Sequence, residues 1–396
     1  AYHLNHCLRG AESERDADFV RALCARLDIP LTLEREDAAA YAAGRHESIE
    51  TAARALRYAR LNRCAAQYGI ARIATAHTAD DNLETMLFHL ARGTGTRGFA
   101  GIPPVRGAVI RPLWTATRAE IERYLTESGQ DFVVDSSNLS ADYTRNRIRQ
   151  RVVPVLRDIN PGCAGAASRL AARLREDDET LCLLAEQALG QADMAADVPL
   201  EAFRQPPAIQ GRMLTALLRR AGVPMHAVTA RHMEQLTDLL AAGRARSMSL
   251  PGSFCAYHEA GRLRILFEPE RPPVPLFDGF HGRLWDTSTI LTVKTKKSGQ
   301  VFHKTCDTFL ADCGTIHFGT LAVRPPQPGD RLTLPGARGA RQLKRLMADR
   351  GLPPSARARL AVVADAAGIV LAQGVGVEIS RVPRGGEIVE FRFEGL

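Results

Sequence analysis

The chain has 396 residues, 45% hydrophobic and 24% charged, which supplies apolar surface for two or three buried cores and excludes a disordered polypeptide. Its formal net charge is +8 and its isoelectric point is near 9.3, so a polyanionic partner suits it better than a cationic one. The 8 cysteines are scattered without a C-x-x-C pair, no N-terminal stretch has signal-peptide order, and the most apolar run, Leu360 to Ile379, is broken by Asp365 and Gln373. These features argue against a disulfide scaffold and a membrane span, and they predict a cytoplasmic protein with reduced thiols.

Residues 1–135 alternate strand and helix patterns, which predicts an α/β domain with a parallel sheet. Tyr2–Leu4 reads as a strand, and Glu12 to Leu27 as a helix with Phe19, Leu23 and Leu27 on its buried stripe. Leu31-Thr32-Leu33 is a second strand. Ser48 is placed to cap a helix running to about Tyr68, with Ile49, Ala52, Ala53 and Leu56 facing inward. Ala71–Ala76 is a third strand, followed by a helix whose Leu83, Met86, Leu87 and Leu90 share one face. Val109–Leu113 and Phe132–Val134 read as further strands, with a helix from Arg118 to Ser128 between them. Asn160 to Ala192 and Leu200 to Ala242 read as helical, Pro269 to Pro275 as a stiff linker, and Ala367-Gly368 as a turn between strands. The expected domains are therefore a catalytic α/β domain over 1–158, a helical domain over 159–268, a linker with strands over 269–320, and a small α+β domain over 321–396.

In an open parallel sheet, ligands bind beyond the carboxyl ends of the strands. Three of the expected strands end in polar residues: Asn5-His6 after Leu4, His77-Thr78-Ala79-Asp80-Asp81 after Ala76, and Asp135-Ser136-Ser137-Asn138 after Val134. His, Asp, Asn and Ser delivered to one rim point to a functional site. Acids in a first helical turn often only cap the helix, which would account for Asp80 and in part Asp81. Asp81 and Glu84, three apart beside His77, also form an acidic pair able to hold an ammonium or a magnesium ion, or to accept a proton from an amine.

Gly93-Thr94-Gly95-Thr96-Arg97-Gly98 matches G-x-G-x-x-G literally, but a helix precedes it and Ile102-Pro103-Pro104 follows. It is read as a flexible loop whose amides can approach a phosphate, not as a dinucleotide fingerprint. Arginines gather at Arg54, Arg57, Arg60 and Arg63, and again at Arg145, Arg147, Arg149 and Arg151 after Tyr143-Thr144. A third basic cluster runs from Arg338 to Arg359, where Asp349 is the only acid. Each cluster alone is as well read as a solvated face; together they favour a long polyanion over a small acidic ligand. His303, Cys306, Cys313 and His317 have irregular spacing for zinc and read better as buried thiols and surface histidines.

Taken in order, His3-Leu4-Asn5-His6-Cys7-Leu8-Arg9-Gly10, Ala74 to Asn82, Arg92-Gly93-Thr94-Gly95, Asp135-Ser136-Ser137-Asn138, Tyr143 to Arg149 and Pro328-Gly329-Asp330-Arg331 resemble the tRNA(Ile)-lysidine synthetases. The resemblance covers nearly the whole chain. It implies a PP-loop ATPase domain of the adenine nucleotide alpha hydrolase type joined to tRNA-recognising domains. The implied reaction adenylates the wobble cytidine of an isoleucine tRNA with ATP and Mg2+; the amine of free lysine then attacks the ring and expels AMP. The product, lysidine, pairs with A rather than G. The resemblance further implies Asp81, Glu84 and His77 as catalytic residues, Asp81 and Glu84 also holding lysine. It implies Asn5, His6, Arg92 and Gly93 as ATP-binding residues, and Arg54, Arg57, Arg145, Arg149, Arg341, Lys344 and Arg345 as tRNA-binding residues. A homodimer is compatible with the sequence, which does not specify an oligomeric state.

One departure matters. The family's S-G-G-x-D-S loop follows its first strand and does not occur in these 396 residues. In the family it would precede Ala1, within a strand and helix of on the order of thirty residues. The expectation is a sequence truncated there, and a chain that as given does not turn over ATP. Two rivals are a tRNA thiolase of the same superfamily, disfavoured by the lack of paired cysteines, and a non-catalytic tRNA-binding protein.

Overall fold

Parallel pairing begins with the first two strands. In the computed structural model, which describes residues 1–133, 144–190, 196–285, 288–297 and 307–395, β1 (Tyr2–Asn5) lies parallel to β2 (Thr32–Arg35), joined through α1 (Ala11–Arg26). Helix α2 (Ala38–Ala43) starts at an Asp37 cap and α3 (Ile49–Gln67) at the expected Ser48 cap. A second crossover follows. It comprises β3 (Ile73–Ala74), α4 (Ala79–Arg92), a short α5 (Thr96–Phe99), β4 (Val105–Arg106) and β5 (Val109–Ile110), with β3 parallel to β5 and β4 antiparallel to it. Helix α6 (Arg118–Glu127) comes next. Among the described residues the strands form two small sheets, β1-β2 and β3-β5-β4.

The expected stripe of α1 is displaced. Ser13, Ala17 and Cys24 are its buried residues, whereas Leu27 is 54% exposed past its end. In α3 the inward residues are Ala52, Ala53 and Leu56, with Ile49 exposed in the first turn. In α4, Leu83 and Met86 are buried while Leu90 is exposed. Small residues thus carry much of the helix–sheet contact, since only short side chains let a helix approach a sheet closely.

After the undescribed residues, α7 (Thr144–Arg147), a π-helical turn (Ile148–Val152) and α8 (Val153–Ile159) run on without a break, and α9 (Cys163–Leu189) follows. Ile148, Val153 and Ala164 pack on Ala79 and Leu83 of α4, while Met86 packs with Trp114 and Ala171. Contacts divide the chain into two units, Ala1–Thr180 and Leu181–Leu396.

The second unit begins with β6 (Asp197–Pro199), α10 (Pro207–Arg220), α11 (Ala230–Leu240) and the strands β7 (Arg246–Leu250), β8 (Phe254–Glu259) and β9 (Arg262–Phe267). They form an antiparallel sheet in the order β6-β9-β8-β7, packed on Met213, Leu214, Leu217 and Leu236 of the two helices. The region expected to be helical over 159–268 is mostly helical but also carries this four-stranded sheet. The reason is local: Ala260 and Gly261 both take positive φ, 50° and 70°, the geometry of a tight hairpin turn.

Further on come β10 (Val274–Pro275), β11 (His281–Arg283), β12 (Ile290–Lys297), β13 (Thr308–Asp312), β14 (Ala322–Arg324), β15 (Arg331–Leu332), β16 (Arg341–Gln342), α12 (Leu343–Asp349), α13 (Pro354–Arg357), β17 (Val362–Asp365), β18 (Gly368–Ala372), β19 (Gly376–Val377) and β20 (Glu387–Glu394). One sheet runs β10-β14-β17-β18-β19 and another β11-β12-β20-β13. Residues 269–320, expected as a linker with separate strands, therefore share both sheets with the C-terminal stretch. The shared core contains Leu291, Val293, Val363, Val389, Phe391 and Phe393.

Candidate functional site

Helix α4 carries the acidic residues, and its amino end decides what each can do. Thr78 and Asp81 form a reciprocal cap: the Thr78 amide donates to Asp81 Oδ2 at 2.8 Å, and the Asp81 amide donates to Thr78 Oγ1 at 3.3 Å. Asp80 is buried and accepts from the Arg118 amide and from Arg157 Nη2, each at 2.6 Å. Capping of α4 therefore accounts for one oxygen of Asp81 only, whereas Asp80 ties the start of α4 to α6 and to Arg157.

Glu84 is different. It is 2% exposed and lies one turn inside the helix, where no amide needs a cap. Its partners are two arginines. Arg145 Nε donates to Oε2 at 3.0 Å, while Arg149 donates through Nε to Oε1 at 2.6 Å and through Nη2 to Oε2 at 2.9 Å. Arg145 Nη2 also reaches Asp81 Oδ1 at 3.1 Å. The Glu84 hydrogen bond, the largest influence, raises the Arg149 guanidinium above its ordinary value. Arg145 and Arg149 were expected to contact tRNA; they are turned onto the carboxylates instead. Four-residue spacing through the α7–π-turn segment puts them on one face, and Arg147 and Arg151 are the exposed pair.

Beside this cluster opens a cleft of about 650 Å³ lined by His77, Arg54, Arg92, Arg111 and Arg145, among others. His77 ends the segment after β3, and its Nδ1 lies 3.0 Å from Thr75 Oγ1. Burial, partly offset by Asp81, pushes its imidazole down to about 4, so it is neutral at pH 7. One wall is the loop Gly101-Ile102-Pro103, fixed from four sides. Asn82 Oδ1 accepts from the Ile102 amide at 2.8 Å. Trp114 Nε1 and Arg175 Nη2 both donate to the Ile102 carbonyl at 2.7 Å, and Arg111 Nη1 donates to the Pro103 carbonyl at 2.6 Å. Gly101 has φ +67°, and a Cβ there would lie 2.4 Å from Asn82 Oδ1.

Sequence reading missed Arg111, Asn82, Trp114 and Arg175. Arg111 follows Ile110 at the carboxyl end of β5, but the expected strand ran on to Leu113 and so hid Arg111 inside it. The other three were invisible because they act across long sequence separations.

At the end of β1, Asn5 is buried with its amide spent inside: Nδ2 donates to the Ser13 carbonyl and to Glu14, and Oδ1 accepts from the Cys7 amide. That makes it a support for the β1–α1 turn, contrary to the expected ATP contact. His6 is half-buried, its Nδ1 has no partner, and burial with Arg57 close by pushes it down to about 4. Arg57 Nη2 sits 3.5 Å from His6 Nε2, so these two expected site residues do come together. Arg60 and Arg63 on the same helix pair with Glu34 and Glu36. Arg92 lies over the Phe88 ring, and Gly93 ends α4 at φ 77°. The expected loop after it is partly helical, as α5. Arg341 pairs with Asp349 at 2.5 Å, while Lys344 and Arg345 are exposed on α12, whose Leu343, Leu346 and Met347 are buried.

Asp135-Ser136-Ser137-Asn138 and Tyr143 lie outside the described residues, as do His303 and Cys306. Among the described residues no group of three His, Cys, Asp or Glu converges to hold a metal.

Known proteins match this chain in two segments and along its length. A PP-loop domain family matches residues 1–156, and the TilS substrate C-terminal domain family matches 321–386. The tRNA(Ile)-lysidine synthase of Dehalococcoides mccartyi is 34% identical over 381 residues, covering 90% of this chain and 80% of that protein. Its counterpart from Geobacillus kaustophilus is 31% identical, covering 94% of this chain and 83% of that protein. The one from Deinococcus radiodurans is 36% identical and covers 95% of this chain, but only 54% of its own length is matched.

Proposed function

Because the chain belongs to the tRNA(Ile)-lysidine synthase family, with the PP-loop domain of an ATP-using enzyme, we propose that it ligates free lysine to the wobble cytidine of tRNA(Ile) bearing a CAU anticodon. The intermediate in this reading is an adenylated tRNA. The catalytic part falls within 1–158, and tRNA recognition is shared by residues 159–268 and 321–396. Among the described residues no helix is long and apolar enough to cross a membrane.

The observation that carries the lysine half of this reading is the Asp81–Glu84 pair with its two guanidinium counter-ions. It is a preformed site for cationic nitrogen beside a cleft, and an incoming ammonium can take the place of Arg145 on the partly exposed Asp81. Glu84, held by Arg149 through two hydrogen bonds, positions the arginines instead of meeting lysine directly. His77 is neutral at pH 7 and is therefore available as a proton acceptor, not as a cation. The carboxylates are already neutralised by arginine, which does not suit a resident metal. Magnesium in this reading accompanies the phosphates of ATP.

The test is Asp81→Asn in the protein expressed from its native gene. Lysine incorporation should fall at least tenfold (roughly the loss of one charge-assisted hydrogen bond) while tRNA binding is kept. Equal loss of both would count against the role given to Asp81.

A further inference from the structure

One wall of the cleft beside α4 is held by a residue that does not line the cleft. Arg175 lies on α9 (Cys163–Leu189), past the residues 1–156 matched by the PP-loop domain family, yet it reaches the Gly101-Ile102-Pro103 loop. Its Nη2 donates to the Ala100 carbonyl and, at 2.7 Å, to the Ile102 carbonyl, and its guanidinium lies 4.8 Å from the centre of the Trp114 ring. Carbonyl oxygens and a ring thus meet its charge, and Glu179, one turn on, adds attraction at longer range.

The sequence explains why the loop needs a donor from outside. A carbonyl at a bend is ordinarily taken by the amide three or four residues on. From Ala100 those positions are Pro103 and Pro104, which have no amide hydrogen. Ala100 is 2% exposed, and among the described residues Arg175 is the one donor to its carbonyl. The Ile102 carbonyl depends on it less, since Trp114 Nε1 donates there as well. Asn82 and Arg111 are engaged elsewhere on the loop, with the Ile102 amide and the Pro103 carbonyl. Two carbonyl oxygens converging on one nitrogen repel each other, and a cationic donor offsets that repulsion better than a neutral one.

We propose that Arg175 is a positioning residue: from α9 it fixes the Gly101-Ile102-Pro103 wall, and so the shape of the cleft that also holds His77 and Arg145. The working cleft then depends on a helix beyond residues 1–158. The effect on lysine ligation rests on the functional reading above; the hold on the loop rests on the hydrogen bonds alone.

The experiment compares the protein expressed from its native gene with Arg175→Gln, which removes the charge, and Arg175→Lys, which keeps the charge but not the stack on Trp114. Hydrogen exchange of residues 100–102 and of α4 is measured, together with kcat per folded molecule and KM for tRNA in lysine incorporation. Arg175→Gln should exchange about tenfold faster at 100–102 and lose about tenfold in kcat, with exchange in α4 unchanged and KM for tRNA within about twofold of the parent. Arg175→Lys should fall between the two. Parent-like exchange at 100–102, parent-like kcat, or an equal rise of exchange in α4, which would mark general loosening, would each overturn the proposal. A parent that incorporates no lysine would sink the ligation reading instead. Exchange alone then decides: a rise confined to 100–102 keeps the hold of Arg175 on the wall, and no rise overturns it. Should Arg175→Gln fail to fold, Arg175→Lys decides by the same measures: faster exchange at 100–102 with lower kcat supports the proposal, and either at its parent value overturns it.

Discussion

Replacing Glu84 by glutamine keeps the shape of a buried side chain and removes its charge. Three hydrogen bonds from Arg145 and Arg149 lose their charged acceptor, and the new amide group faces donors that it cannot satisfy. Breaking a fully buried pair costs about 3–5 kcal/mol. Here the arginine side chains are 32% and 30% exposed and regain some hydration, and Asp81 still faces both. The expected cost is therefore about 2 kcal/mol. In a unit of this size that lowers the melting temperature by about 4–8 °C. Thermal unfolding followed by circular dichroism, at low salt and again at high salt, measures it. A buried cluster is weakly screened, so the difference should persist at high salt. A shift below about 1 °C, or one that salt abolishes, would refute the assignment of this cluster as a buried, stabilising one.

Three further outcomes are expected. Because burial lowers His77 from 6.5 to about 4, the folded state binds its proton less readily than the unfolded one; the stability it contributes is complete above pH 6.5 and is lost as pH falls toward 4. His77→Gln should flatten the stability–pH curve across that window in denaturant titrations, and an unchanged slope would contradict it. Gly101→Ala should cost about 2 kcal/mol or more in urea unfolding, because it adds a clash with Asn82 to left-handed strain. Gly107→Ala has the strain (φ +59°) but open space, and should cost only about 1 kcal/mol; equal costs would disprove the contact. Asp330 is pushed up by burial but held lower overall by Arg324, which grips it with both Nη atoms at 2.8 and 2.9 Å, and by the Gln327 amide at 2.8 Å. Its contribution is present above its unfolded value of 3.8 and lost as pH falls below it. Asp330→Asn should cost about 1–2 kcal/mol at pH 7 and little at pH 3, and a cost independent of pH would show that charge is not what matters.

The α/β pattern and the polar strand ends were legible because both depend on neighbours in sequence. The rule that ligands gather at carboxyl ends of parallel strands singled out the segment after β3, and the Ser48 cap with its inward residues placed α3 to within a residue of its ends. What sequence could not supply was partnership. Asp81 and Glu84 looked like an open acidic face, but their partners lie 61 to 65 residues away. Asn5 looked like a ligand contact because polar residues at strand ends so often are, whereas its bonds close a turn. The mixed character of 159–268 was missed because the helices there are long and the hairpin strands short, so composition was dominated by helix. The Ala260-Gly261 turn was the local clue.

The same distinction bears on the basic balance of the chain. A count of arginines treats every one as available to a polyanion, but Arg60 and Arg63 are engaged with Glu34 and Glu36, and Arg145 and Arg149 with Asp81 and Glu84. What remains on this side of the first unit is not a face of one helix. It is a set drawn from four elements, Arg54, Arg92, Arg106 and Arg111, which the crossover from β3 through α4 to β5 collects into one cleft. A solvated stripe would leave each charge on its own helix and in water. Convergence on a cleft with a buried, incompletely partnered guanidinium concentrates positive potential there, while the neighbouring cluster pairs Asp81 and Glu84 with Arg145 and Arg149, two acids with two bases.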